Sequence, residues 1–115
     1  MNKRLVQVIV FVMIVLLLVP LLATPAFGAD LDQGAQIFEA HCAGCHLNGG
    51  NIVRRGKNLK KRAMAKNGYT SVEAIANLVT QGKGNMSAYG DKLSSEEIQA
   101  VSQYVLQQSQ TDWKS

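Results

Sequence analysis

Cysteine is scarce in this 115-residue chain, and the two present, Cys42 and Cys45, stand three apart. That leaves none for a disulfide framework. A closed zinc site needs four ligands, and the chain offers only His41, Cys42, Cys45 and His46, crowded into six positions. No stretch alternates apolar and polar residues with period two, so strands are not expected and the chain reads as all-α. A thioredoxin-like redox use of C-x-x-C expects a βαβ setting, which is missing. Aromatic residues make up 6% of the chain and none interleaves with its basic run, which argues against nucleic-acid binding. No paired acid and base suggests a substrate site, so the chain is not expected to be an enzyme.

What is present is Cys42-Ala43-Gly44-Cys45-His46. As C-x-x-C-H this is the attachment signature of a c-type haem. Two thiols at this spacing can add to the two vinyl groups on one porphyrin edge. The next residue then lies beneath the ring, where the imidazole of His46 binds iron. A plain structural disulfide would leave His46 without a role.

The second axial ligand must come from elsewhere. His41, Met64 and Met86 are the candidates. His41 adjoins Cys42 on the first helix and does not reach the opposite haem face. Met64 falls at an apolar position of a short helix and suits a core role. Met86 lies in a glycine-flanked loop between two helices and is the expected ligand. A His/Met pair raises the reduction potential, because a soft thioether favours ferrous iron.

The start of the chain differs from the rest. Lys3 and Arg4 precede a run from Leu5 to Val19 that is apolar except for Gln7, followed by Pro20 and small residues to Gly28. This is a secretory signal peptide over 1–28, with cleavage expected after Gly28. As a retained anchor the run is marginal in length. Residues 29–115 then form a single domain, small for a self-sufficient core. A covalently held haem supplies a large flat apolar body to pack on, so the haem-free chain is expected to be largely unfolded. The formal charge of +4 loses Lys3 and Arg4 with the leader, and two haem propionates bring the working protein near neutrality.

Periodicity predicts a first helix over Asp30–Cys42, with Leu31, Ala35, Phe38 and Cys42 on one face. Gly34 inside it costs about 1 kcal/mol relative to alanine, which makes sense where another helix crosses closely. A loop over 47–58 should wrap one haem face and offer a backbone carbonyl to Nδ1 of His46. A short helix is expected over 59–66. Thr70 and Glu73 read as a capping box opening a helix to Gln81, ended by Gly82. Ser94 and Glu97 read as a second box, opening a helix to about Gln108 with Ile98, Val101 and Val105 inward. Val101, Tyr104 and Val105 are expected to cross Gly34, Ala35 and Phe38. Arg54, Arg55, Lys57, Lys60, Lys61, Arg62 and Lys66 form a basic run with no acid, either a solvated face or a docking patch for an acidic partner. Nothing in the pattern assigns Trp113.

From residue 29 onward the chain resembles cytochrome c6. The resemblance rests on the Gly34 to Phe38 helix, the C-x-x-C-H motif, Leu59-Lys60-Lys61, Tyr69-Thr70-Ser71, Gly82-Lys83-Gly84-Asn85-Met86, Val101-Ser102-Gln103-Tyr104-Val105 and Asp112-Trp113-Lys114. It implies a class I cytochrome c fold, with about four helices around one haem c. It also implies thioether links at Cys42 and Cys45 and axial iron ligands at His46 and Met86. It implies a monomeric one-electron carrier in the thylakoid lumen or periplasm of a cyanobacterium. Transient partners would be cytochrome f of the b6f complex and photosystem I, or cytochrome oxidase.

Three departures from the family pattern involve four residues. Ser87 and Tyr89 stand where the ligand loop usually has proline and phenylalanine, which should loosen the loop. Leu78 replaces a common haem-proximal glutamine, and by resemblance to apolar variants the potential should be lowered. Lys92 replaces an arginine used in docking to photosystem I, keeping the charge and losing the planar fork. If Met86 dissociates easily, a haem enzyme or gas sensor is the alternative. A haem subunit tethered by an uncleaved leader is a third reading.

Overall fold

A backbone carbonyl sits where Gly34 would carry a side chain. The computed structural model describes residues 1–19 and 26–114, with only the backbone fixed for 26–29. Its helices are α1 (Lys3–Leu18), α2 (Ala26–His41), α3 (Ala43–His46), α4 (Lys61–Lys66), α5 (Val72–Gln81) and α6 (Ser95–Gln110). Single 3-10 turns cover Leu47–Gly49 and Arg55–Lys57. Among the described residues there is no strand, only an isolated bridge between Lys83 and Met86.

Helices α2 and α6 form the central crossing. A Cβ on Gly34 would overlap the Ala100 carbonyl oxygen and lie 2.8 Å from Tyr104 Cβ. The expected contact of Gly34 and Phe38 with Tyr104 is therefore present, with Phe38 and Tyr104 ring centroids 5.6 Å apart. The buried stripe of α2 also includes Ile37, which lies off the face of Leu31, Ala35, Phe38 and Cys42. α2 begins at Ala26 rather than Asp30. Ile37, Phe38, Ala43, Met64, Ile75, Val79, Leu93, Ile98, Val101 and Val105 form one buried cluster. Every inward residue expected on α6 is in it.

Helix starts show where local chemistry is sufficient. At α6 the box forms as expected. Ser94 Oγ accepts from Glu97 N, and Glu97 Oε1 accepts from Ser94 N at 3.0 Å. The hydrogen bond donated by the Ser94 backbone N–H, with the nearby Ser94 hydroxyl adding, holds the Glu97 carboxyl below its usual range. At α5 the expectation is corrected. Ser71, not Thr70, is the cap; its hydroxyl accepts from Ala74 N at 3.1 Å. Helical geometry begins one residue later than the box pattern implied. Glu73 therefore contributes as an acid in the first turn rather than as a reciprocal cap. Gly82 ends α5 as expected, at φ +68.

α4 is shorter than expected, starting at Lys61 rather than Leu59. Asn58 Oδ1 accepts from Lys60 N at 3.0 Å and holds the preceding residues in a turn. The Lys61 N–H is capped by Asp112 Oδ1 at 3.0 Å, from a segment 51 residues away. α1 buries no residue, and no helix among the described residues is long and apolar enough to cross a membrane. Most of the small-residue stretch before the expected cleavage point lies outside the described residues.

Candidate haem site

The C-x-x-C-H segment is one tight turn appended to α2. Cys42 N still donates to Phe38 O at 2.8 Å, and Cys42 O accepts from both Cys45 N and His46 N. Ala43 turns inward and is buried, while Cys42 and Cys45, three apart, share a face of α3. Both thiols are free, Cys42 half-buried and Cys45 exposed. Burial pushes the Cys42 thiol up to about 11. Redox and metal-binding thiols sit where the thiolate is favoured. This sulfur sits where an uncharged form is favoured, which suits a thioether.

After His46 the chain reverses through two left-handed residues, Asn48 at φ 51 and Gly49 at φ 75. The reversal returns the Gly50 carbonyl to His46 Nδ1 at 2.8 Å. A carbonyl only accepts, so Nδ1 carries the hydrogen and Nε2 presents its lone pair. This answers which carbonyl orients the ring. Ile52 N donates back to Cys45 O, and Asn51 Oδ1 accepts from Val53 N and Arg54 N, which secures the turn.

Met86 is presented by a two-residue turn in which Lys83 and Met86 exchange backbone hydrogen bonds, each 3.0 Å. Gly82 must be glycine on two counts. Its φ is positive, and a Cβ would lie 2.7 Å from Ala88 N and Met86 O. Tyr89 N and Gly90 N donate to Val79 O and Thr80 O, which ties the loop to the end of α5. The Tyr89 hydroxyl donates to His41 O at 3.0 Å, which joins the methionine loop to the residue before Cys42. Burial, with the Cys42 and Cys45 sulfurs adding, raises the Tyr89 phenol above its ordinary range and keeps it a donor. The phenylalanine usual in the family lacks this hydroxyl. The loop that lacks proline at Ser87 therefore has a tie of its own.

These segments enclose one cavity of about 280 Å³. Cys42, Cys45 and His46 line it, as does Met86. Phe38, Met64, Ile75, Leu78, Val79, Val101 and Val105 supply apolar wall. The residue set fits a c-type haem: two unpaired sulfurs on one turn, an imidazole oriented by its own hydrogen bond, a thioether, and apolar surround. Leu78 does line the cavity, as its family position implied. Met64 is buried in the core cluster, as expected, while it too reaches the wall. His41 is exposed and also touches the cavity. Lys92 Nζ lies 5.3 Å from the Tyr89 ring centroid, a cation over an aromatic face. A second depression, about 330 Å³ and open to solvent, lies over Gly56, Asn58, Lys60, Arg62 and Lys66, away from both cysteines and Met86.

Two supporting residues escaped the sequence reading. For Tyr89, only a partner 48 residues away gives the hydroxyl a use. Trp113 packs on Phe38 at 4.8 Å and Tyr104 at 5.8 Å between ring centroids, and its Nε1 donates to Leu59 O at 2.9 Å. Its late position beside Asp112 was the only available signal.

Comparison with known proteins accords with this geometry. A family described as cytochrome c oxidase, cbb3-type, subunit III matches residues 29–105. A cytochrome c6-like protein of a Nostoc species is 54% identical over 99 residues, covering 86% of this chain and 89% of that protein. A cytochrome c6 of a Synechococcus species is 48% identical over 92 residues, covering 80% of this chain and 82% of that one. The crystal structure of cytochrome c6B from a Synechococcus species superposes with TM-score 0.69 at 51% identity, covering 72% of this chain and 94% of that one. The chain belongs to the cytochrome c6 family, class I c-type cytochromes that carry electrons on a covalently bound haem and its iron.

Proposed function

We propose that this chain shuttles single electrons between cytochrome f of the b6f complex and photosystem I, or delivers them to a cytochrome oxidase. Cys42 and Cys45 would hold the haem through thioethers, and His46 and Met86 would be the axial iron ligands. The single observation that carries this reading is the convergence of those four side chains on one apolar cavity. When bound, haem supplies a one-electron ferric/ferrous couple.

The chain's own part is to hold its ligands still while the charge changes. The Gly50 carbonyl fixes the His46 ring. The paired Lys83 and Met86 backbones and the Tyr89 tie fix the methionine loop. These ties favour a carrier over an enzyme or gas sensor, which would need a face of the iron left open. Leu47, Ile52 and Val53 are 62%, 73% and 56% exposed. They adjoin the exposed basic residues from Arg54 to Lys66, which would steer an acidic partner into a brief, small encounter. Export to the lumen or periplasm, loss of residues 1–28 and a monomeric state complete the reading.

Mass measurement of the exported protein should show a start at Ala29 and the added mass of haem. The oxidised protein should show a sulfur-to-iron charge-transfer band that persists for minutes in cyanide. A midpoint titration decides the partners: a potential too low to accept from cytochrome f would remove the photosynthetic role.

A further inference from the structure

We propose that Trp113 is a positioning residue for His46, acting through the Gly49-Gly50 segment. This rests on the reading of His46 as the axial ligand. The indole lies against the Gly49 α-carbon, and a Cβ on Gly49 would overlap its five-membered ring. Its Nε1 donates to Leu59 O at 2.9 Å, and Leu59 N in turn donates to Gly49 O at 2.7 Å. One side chain therefore holds Gly49 by direct contact and again through Leu59. The next carbonyl, Gly50 O, accepts from His46 Nδ1 at 2.8 Å.

Two features show that this contact constrains the backbone. Asn48 and Gly49 are both left-handed, as are Asp112 at φ 51 and Trp113 at φ 61. Asparagine and aspartate visit this region readily, but a left-handed tryptophan persists only where its surroundings enforce it. Here Trp113 N donates to Gln108 O at 2.9 Å, Asp112 caps α4 through Lys61 N, and the indole packs on Phe38 and Tyr104. The segment after α6 thus clasps the turn after His46 from outside the cavity, and it is not among the cavity-lining residues.

The consequence for the iron follows from the hydrogen bond. A carbonyl held on Nδ1–H makes the imidazole more basic and favours the ferric state. Releasing Gly50 weakens that bond. In the haem-bearing protein, Trp113→Phe and Trp113→Ala should speed solvent exchange of the His46 Nδ1 proton, on the order of tenfold in the alanine variant. Both should raise the midpoint potential, alanine more than phenylalanine. Ile98→Val serves as control: it loosens the core without touching this turn, and should lower thermal stability while leaving exchange and potential unchanged. If both Trp113 variants lose stability but keep wild-type exchange and midpoint, the residue is only a core plug and the proposal is overturned. If Trp113→Ala does not accumulate, Trp113→Phe decides alone, since it keeps a ring and removes the Nε1 donor. Failure of the haem reading is distinct: the wild-type protein would then lack the mass of haem.

Discussion

Gly34 and Leu78 each matter through one missing or added group. At Gly34 an added methyl would meet the Ala100 backbone, which cannot rotate away. Alanine would gain about 1 kcal/mol of helix propensity, while overpacking a close crossing costs typically 1–3 kcal/mol and occasionally more. With a carbonyl as the neighbour, packing wins. Gly34→Ala should lower the denaturation midpoint of the haem-bearing protein, with a net loss of up to about 2 kcal/mol. Leu78 lines the cavity with an alkyl group where the resemblance to the family implies an amide. Leu78→Gln should raise the midpoint potential by on the order of 60 mV, the tenfold step for one electron. An equilibrium redox titration of both proteins checks it, and equal midpoints would contradict the assigned role of position 78.

Caps and loops are decided at the scale of the element. The α5 correction is open to direct measurement. Ser71→Ala should cost about 1 kcal/mol, whereas Thr70→Ala should be nearly neutral, because only the Ser71 hydroxyl reaches Ala74 N. Chemical denaturation of the two variants side by side separates them. The methionine loop depends on a longer tie. Tyr89→Phe keeps the ring and removes the bond to His41 O. A neutral hydrogen bond contributes about 0.5–1.5 kcal/mol, so the loop should open about two to ten times more often. Stopped-flow binding of imidazole to the oxidised protein should speed up by that factor, with the midpoint potential little changed.

For the whole molecule, the core is incomplete without its cofactor. α4 and α5 and the two ligand turns line a cavity that a haem would fill, and the direct packing is concentrated where α6 meets α2 and α5. A variant with Cys42→Ser and Cys45→Ser, exported without attached haem, should show a largely unfolded far-ultraviolet spectrum. A full helical signal would mean that the α2–α6 crossing suffices by itself.

Local chemistry determined much of this protein from sequence alone. The C-x-x-C-H turn, the Ser94 box, the Gly82 stop and the inward stripe of α6 are short-range features, set by neighbours within a few positions. The all-α class follows from spacing of that kind. Tertiary structure decided the rest. It chose Gly50 as the partner of His46, gave Tyr89 its carbonyl, capped α4 from Asp112 and seated Trp113 against Gly49. Those contacts join residues whose separation along the chain carries no periodic signal. A hydrogen bond across some fifty residues exists only once the helices have packed and brought its two ends together.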